Sequence, residues 1–166
     1  MTGSDTPIGK ATDADLDGIL ELQAANQIAR GGMLSAELPR LRIVEMMDNM
    51  PLIVARREER ITGFLMATSR TMNAELPVIR AMFSAYPGAK DAYVYGPVCV
   101  DPTQRGKGLA GAMFAELRRL ESGREGVLFI RTDNEASLRA HRRMGMQEVA
   151  KFVLNGADFA VFSYIG

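Results

Sequence analysis

The sequence predicts an α/β domain built on a mixed, mostly antiparallel sheet. Helical and extended patterns alternate along the chain, and a strand–loop–helix unit covers residues 98–120. The dipeptide Asn155-Gly156 lies between two apolar runs, which is a hairpin signal. We therefore expect about six to seven strands and about four helices. At 166 residues the chain has the length of a single domain with a substantial core, covering residues 1–166.

The first half of the chain predicts a strand, two helices and a strand pair. Thr12 or Asp13 can cap the first helix, and Ser35 can cap the second after the break at Gly31-Gly32. The polar turn at residues 57–60 separates the two later strands. The predicted elements are strand 8–10, a helix to residue 25, a helix with apolar positions at 38, 41, 44 and 47, and strands 52–56 and 61–68.

The second half predicts strands that alternate with helices and a final hairpin. Apolar residues at positions 109, 113, 117 and 120 give the helix after the loop one buried face. Asn134 can cap the next helix. The predicted elements are helix 76–85, strand 92–100, helix 108–120, strand 127–131, helix 134–144, and strands 151–154 and 159–165.

Composition excludes several classes of function. The 20 basic and 20 acidic residues balance, whereas nucleic-acid binders usually carry a basic surplus. No apolar run approaches the ~20 residues of a membrane span, and residues 1–7 do not resemble a signal peptide. One histidine and one cysteine leave little material for a metal site or a disulfide. We expect a cytoplasmic protein with no metal, no nucleic-acid partner and no membrane.

The loop between strand 92–100 and helix 108–120 is the most informative stretch. The first turn of a helix presents unpaired N–H groups and the positive end of the helix dipole. Gly106 and Gly108 would let a phosphate approach those groups, and Arg105 and Lys107 add positive charge. The loop suits a pyrophosphate.

Two other phosphate-binding motifs fit this loop less well. Residues 106–111 match the dinucleotide pattern Gly-x-Gly-x-x-Gly, but five residues separate the first glycine from the strand, and few strand–helix units follow. A Walker loop requires Ser or Thr after Gly106-Lys107, where Gly108 stands. A dinucleotide-binding protein is therefore the weaker alternative.

Two spaced motifs stand out in the second half of the chain. The first is Arg105-x-x-Gly108-x-Ala110 with the lead-in Val98-x-Val100-x-Pro102, and the second is Asn134-x-x-Ser137-x-x-x-His141-x-x-x-Gly145-Met146. They resemble the motifs of the GNAT superfamily of N-acetyltransferases, which bind acetyl-CoA. The first is similar to the family signature Gln/Arg-x-x-Gly-x-Gly/Ala, and the second to a motif that usually ends in Gly-Phe. The predicted order of elements matches the family fold over almost the whole chain.

The resemblance implies acetyl-CoA as co-substrate and a GNAT-like sheet whose central parallel strands splay apart at the cofactor. The pantetheine arm would pair with the backbone of the strand before the loop, and a main-chain N–H near Val98 would polarise the thioester carbonyl. Gly96-Pro97 interrupts that strand, and we expect a bulge there. The cofactor-binding residues implied are Val98, Cys99, Val100, Arg105, Gly106, Lys107, Gly108, Leu109, Ala110, Gly111, Asn134 and Ser137.

The resemblance also places His141 where many relatives carry a tyrosine that protonates the departing thiolate. A histidine can donate a proton near neutral pH, but a structural histidine would look the same in sequence. Tyr95 is a second candidate catalytic residue. Some relatives carry a glutamate base near the position of Val94, and residues 92–100 contain no carboxylate. The general base is left open.

The function implied is acetyl transfer to a primary amine of a small molecule or a protein. Residues 26–38, residues 72–90 and the terminal hairpin would form the acceptor walls, and a homodimer is compatible with the resemblance. Cys99 could suggest an acyl-enzyme, but a buried core thiol fits its apolar neighbours better. Two alternatives are a transferase for a larger acyl group and a CoA-binding regulatory module without chemistry.

Overall fold

The computed structural model describes residues 8–27, 34 and 37–166. The chain divides into two compact units, Met1–Ala67 with Gly96–Leu120, and Thr68–Tyr95 with Glu121–Gly166. The single domain predicted for residues 1–166 stays a prediction. The elements are β1 (Ile8–Lys10), α1 (Leu16–Ala25), α2 (Arg40–Asn49), β2 (Ile53–Arg57), β3 (Arg60–Ser69), α3 (Pro77–Ala85), β4 (Tyr93–Val100), α4 (Leu109–Leu120), β5 (Glu125–Arg131), α5 (Glu135–Arg143), β6 (Gln147–Leu154) and β7 (Ala157–Ile165).

Seven strands are hydrogen-bonded in the order β1-β2-β3-β4-β5-β7-β6. β4 and β5 are parallel, with Tyr93 opposite Gly126 and Val94 opposite Val127. The β1–β2, β2–β3, β5–β7 and β6–β7 pairs are antiparallel. The mixed, mostly antiparallel α/β sheet predicted from the sequence is confirmed.

In the first unit, α1 and α4 pack on the strands, and α2 packs against α1. Close approach of helix to sheet depends on two glycines. A Cβ on Gly18 of α1 would lie 2.5 Å from a side-chain carbon of Ile61 in β3. A Cβ on Gly63 of β3 would lie 3.0 Å from the Met113 methyl of α4. Because α4 also packs on β1 and β2, these contacts fix the helix that follows the glycine loop.

The second unit buries both faces of its central strands, whereas the edge strand β6 is largely exposed. On one face Ile79 and Met82 of α3 pack against Val94, Val127 and Val161 of three neighbouring strands. Successive side chains of a strand point to opposite faces, so the tyrosines on either side of Val94 face away from α3. That second face carries the aromatic and histidine contacts described below.

The terminal hairpin turns at Asn155-Gly156, as predicted. Both residues have positive φ, 51° and 79°, as a type I′ turn requires. The preceding strand is longer than predicted, since β6 begins at Gln147 and not at residue 151. Gln147 and Glu148, the first two residues of β6, are polar and exposed on this sheet edge, so the strand begins without an apolar signal.

The first helix start agrees with its prediction and the second differs. Thr12, one of the two predicted caps, is the N-cap of a short 3₁₀ turn at Asp13–Asp15 that leads into α1, and its amide donates to the Asp15 carboxylate over 2.8 Å. α2 begins at Arg40 after Pro39, so Leu38 lies outside it, and the predicted cap Ser35 lies outside the described residues. The described part of the chain contains no helix long and apolar enough to cross a bilayer.

Candidate active site

The glycine loop of the first unit has a backbone that requires glycine. Gly106 and Gly108 have φ values of +79° and +75°, a region that L side chains rarely adopt. A Cβ built on either residue would meet no atom within 4 Å. The loop therefore leaves open space above its backbone, as phosphate binding requires.

The loop leads directly into the first turn of α4. The first helical hydrogen bond at this end runs from the Ala112 N–H to the Gly108 carbonyl over 3.0 Å. The N–H groups of Leu109, Ala110 and Gly111 precede it and are those that a helix cannot satisfy internally. These residues are partly exposed. Aligned N–H groups at a positive helix end favour an anion.

Asp101 anchors the start of the loop to β3. Its amide donates to the Thr62 carbonyl over 2.8 Å, and its carboxylate accepts from the Thr103 amide and the Arg60 guanidinium, each over 2.9 Å. The hydrogen bond from the Thr103 amide is the main cause that holds the pKa of Asp101 below its ordinary value. The carboxylate is thus ionised and already paired, so it fixes the loop without filling the anion site.

The loop carries two exposed cations. Arg105 and Lys107 form no ion pair with a carboxylate of the described residues, although the charge of Arg105 contributes to the lowered pKa of Asp101. The Lys107 ammonium donates to the neutral side-chain oxygen of Gln104 over 3.1 Å. The exposed positive charge adds to the attraction that the helix end exerts on an anion.

The strand before the loop contains Cys99 and the Gly96-Pro97 interruption. Gly96 has a φ of +111° and is followed by a cis peptide bond. The bulge expected there stays a prediction, as does the pairing of Val98–Val100 with pantetheine. Cys99 is buried, and burial raises the pKa of its thiol to about 11. A protonated, buried thiol fits the structural interpretation of Cys99 and not an acyl-enzyme.

In the second unit, Tyr95 and His141 are in direct contact. Their rings meet edge to face with centroids 5.5 Å apart, and the Tyr95 hydroxyl lies 3.1 Å from His141 Nε2. Both side chains are buried, each 4% exposed. On the other side of the imidazole, Nδ1 lies 2.7 Å from the Ser137 carbonyl oxygen and 3.2 Å from the Ser137 hydroxyl. The structure brings the two candidate catalytic residues together with Ser137.

These partners define the proton positions. A carbonyl oxygen can only accept, so Nδ1 carries the proton and donates to Ser137. Burial lowers the pKa of His141, although the bond to the Ser137 carbonyl acts in the opposite direction. The imidazole is neutral near pH 7, Nε2 is an acceptor, and the Tyr95 hydroxyl donates to it. Burial also raises the pKa of Tyr95, which keeps that hydroxyl protonated.

Asn134 is the N-cap of α5, as the sequence predicts, and Ser137 lies in the first turn of that helix. The Asn134 side-chain oxygen accepts from the Ser137 N–H over 3.2 Å and so caps the helix. The cap places the Ser137 carbonyl one turn before His141. Binding of the cofactor by Asn134 and Ser137 stays a prediction.

Sequence reasoning missed the aromatic residues behind Tyr95. The Tyr164 ring lies 5.9 Å from that of Tyr95, and its hydroxyl shares a 2.7 Å hydrogen bond with that of Tyr93. Tyr164 fits because its neighbour is Gly126, where a Cβ would lie 2.3 Å from the phenol. Glycine inside an apolar strand was the available signal, since it often marks close approach of another group.

Sequence reasoning also missed a buried carboxylate. Glu125 accepts hydrogen bonds from the Tyr86 hydroxyl over 2.6 Å, the Ala89 N–H over 2.7 Å and the Ser163 hydroxyl. Burial acts to raise the pKa of Glu125, but these bonds outweigh it and hold the pKa below its ordinary value. A glutamate at the head of an apolar strand was the available signal. These hydrogen-bond partners all belong to the second unit, so Glu125 links segments of that unit and has a structural role.

Several solved structures share this fold. The chain is 20% identical to a ribosomal-protein-alanine N-acetyltransferase from Brucella melitensis, covering 96% of this chain and 99% of that one, with a TM-score of 0.66. It is 16% identical to a GNAT family acetyltransferase from Streptococcus agalactiae, covering 96% and 94%, with a TM-score of 0.74.

A third structure contains the expected co-substrate. A phosphinothricin acetyltransferase from Sinorhizobium meliloti, solved in complex with acetyl-CoA, is 22% identical, covers 95% of this chain and 86% of that one, and has a TM-score of 0.68. No curated protein sequence is significantly similar. The model of the acetyltransferase (GNAT) family matches residues 19–146, most of the chain and both of its motifs. The chain therefore belongs to the GNAT acetyltransferase family.

Proposed function

We propose that the protein transfers the acetyl group of acetyl-CoA to a primary amine by direct attack in a ternary complex. The observation that carries the proposal is the glycine loop. Its two left-handed glycines, its unpaired helix N–H groups and its exposed cations together fit a pyrophosphate. The chain belongs to the GNAT family, and the phosphinothricin acetyltransferase was solved with acetyl-CoA bound. Both findings support acetyl-CoA as the ligand whose pyrophosphate the loop binds.

In this proposal the loop holds the nucleotide end of the co-substrate. The N–H groups of Gly108 to Gly111 donate to the pyrophosphate, while Arg105 and Lys107 supply charge. The backbone of Val98–Val100 pairs with the pantetheine arm, and a main-chain N–H near Val98 donates to the thioester oxygen. The amine nitrogen then attacks the thioester carbon, the C–S bond breaks, and an amide and a thiolate form.

The Tyr95–His141 pair moves one proton between amine and thiolate. The attacking amine gives a proton to the Tyr95 oxygen as the Tyr95 proton passes to His141 Nε2, and the Ser137 carbonyl stabilises the imidazolium. The same route returns the proton to the thiolate, which leaves as the free thiol of CoA. In this proton route the Tyr95–His141 pair acts both as the general base toward the amine and as the general acid toward the thiolate. The route fits the neutral imidazole, whose Nε2 accepts the hydrogen bond of the Tyr95 hydroxyl and can take up that proton.

The acceptor is a small-molecule or protein amine. The Brucella melitensis relative is a ribosomal-protein-alanine N-acetyltransferase, and the Sinorhizobium meliloti relative is a phosphinothricin acetyltransferase, so the fold serves both kinds of acceptor. We place the reaction in the cytoplasm, where Cys99 would stay reduced. The dimer compatible with the family remains part of the proposal.

The second candidate is a CoA-binding regulatory module. The burial of Tyr95 and His141 favours it, because each residue is only 4% exposed. A transferase with a larger acyl group is the other alternative.

The test follows free thiol release from acetyl-CoA and propionyl-CoA with a panel of small amines and peptides carrying free N-termini. Amine-dependent thiol release, with the acetylated product seen by mass spectrometry, supports the proposal. Faster turnover with propionyl-CoA would support the larger acyl group. Tight binding of acetyl-CoA with no turnover on any acceptor would favour the regulatory module.

A further inference from the structure

A third cation reaches the glycine loop from the turn between β2 and β3. The Arg57 guanidinium donates to the side-chain oxygen of Gln104 over 3.1 Å, the same oxygen that accepts from Lys107 over 3.1 Å. The two cations therefore lie no more than twice that distance apart. Both are exposed, and neither forms an ion pair within the described chain.

Arg57 differs in its partner from Arg60, the arginine at the other end of the same turn. Arg60 pairs with the Asp101 carboxylate over 2.9 Å, so its charge is neutralised where it meets the loop. Glu58 and Glu59 are also exposed, but they form no ion pair with Arg57 among the described residues. At Gln104 two positive groups converge on one neutral oxygen, which holds them in place and leaves their charge uncompensated.

Like charges brought together without a counter-ion repel each other, and an anion placed between them relieves that repulsion. A phosphate monoester suits the position because its oxygens can accept from a guanidinium and an ammonium at once. CoA carries such a group at its 3′ position, in addition to its pyrophosphate. Resting on the function proposed above, we propose that Arg57 and Lys107, held by Gln104, bind the 3′-phosphate of acetyl-CoA.

The site would make the protein select acetyl-CoA over its 3′-dephospho form. Hydrogen bonds between charged groups are stronger than neutral ones, and the dephospho form would lose those made to the 3′-phosphate. Solvent exposure weakens such bonds, so we expect an affinity ratio of about tenfold at low salt. The ratio should fall as salt is added, because exposed charges are screened.

The experiment is a calorimetric titration with acetyl-CoA and with 3′-dephospho-acetyl-CoA. The unmodified protein should bind acetyl-CoA about tenfold more tightly. Arg57→Ala should reduce the ratio to within about twofold, mainly by weakening the phosphorylated form. Gln104→Glu should remove the ratio as well, because a carboxylate would pair with both cations. Arg80→Ala, which removes an exposed arginine of α3 in the other unit, is the control for net charge and should keep the ratio.

The outcomes separate this proposal from the function on which it rests. Equal affinity of the unmodified protein for both forms would overturn the 3′-phosphate site and leave the acetyl-CoA site intact. The 3′-phosphate site is overturned in the same way if Arg57→Ala weakens both forms equally or changes neither. A folded protein that binds neither form would overturn both proposals.

Discussion

The glycine loop of the first unit and the Tyr95–His141 pair of the second differ in exposure and in hydrogen bonding. The loop is exposed, its first helix N–H groups have no partner within the described chain, and Lys107 donates to a neutral oxygen. The pair is buried, and each of its polar atoms already has a hydrogen-bond partner. The loop therefore suits binding of an anion, whereas the contacts of the pair fix the position of each proton.

Gly108→Asp should raise the Kd for acetyl-CoA by about 100-fold, since a carboxylate replaces open space at the anion site. Isothermal titration measures it. Gly123→Asp is the matched control, because Gly123 also has a positive φ, +82°, and open space around its Cβ, but lies in the other unit. It should lose about 1 kcal/mol of stability and keep the Kd. Equal Kd values for both variants would remove the loop from the binding site.

His141→Phe should lower kcat at saturating acetyl-CoA by about 10–100-fold, because the proton acceptor is lost. Tyr95→Phe should have a similar effect, since it removes the hydroxyl but keeps the ring. The double variant should be no slower than the slower single variant if the two residues act as one unit. Thiol-release kinetics measure kcat, and the Kd for acetyl-CoA serves as the control for folding. Unaltered turnover in either single variant would return the pair to a structural role.

Glu125→Gln tests the hydrogen bonds of the buried Glu125 carboxylate. It should reduce the free energy of unfolding by about 1–3 kcal/mol at pH 7. The folded-state pKa of Glu125 lies below the ordinary 4.5. Its stabilisation is therefore present above pH 4.5 and is lost as pH falls through the lower folded-state value. Denaturant unfolding at a series of pH values measures this, with the exposed Glu75→Gln as the control. If the free energy of unfolding of Glu125→Gln matched that of the parent at every pH, the Glu125 carboxylate would not stabilise the fold.

Cys99→Ala should change kcat/KM by no more than about twofold, since a protonated, buried thiol has no chemical role in direct transfer. The buried side chain is small, so the cost in stability should be about 1 kcal/mol. Steady-state kinetics measure the kcat/KM of the variant and of the parent. A loss of turnover that iodoacetamide reproduces in the parent would instead indicate a covalent acyl-enzyme.

The sequence allowed the fold to be predicted where local chemistry decides it. Gly106 and Gly108 before an apolar helical stripe, and Asn155-Gly156 between apolar runs, each specify a backbone within a few residues. Strand ends were harder, because the first two residues of β6 are polar and exposed. The start of α2 was misplaced because the helix begins only after Pro39.

The sequence supplied candidate site residues, whose roles stay predictions, but it did not indicate the contacts among them. Tyr95 and His141 are 46 residues apart, and Tyr93 and Tyr164 are 71 apart. Such pairings depend on strand register and helix placement, which no local pattern encodes. Arg57 was missed for the same reason, since its link to Gln104 spans 47 residues.

The most direct test is a calorimetric titration of the purified protein with acetyl-CoA, with CoA and NAD as comparisons. We predict binding of acetyl-CoA and CoA at one site and no binding of NAD. A folded sample that does not bind acetyl-CoA, or that binds NAD in its place, would contradict the assignment of the glycine loop to the co-substrate.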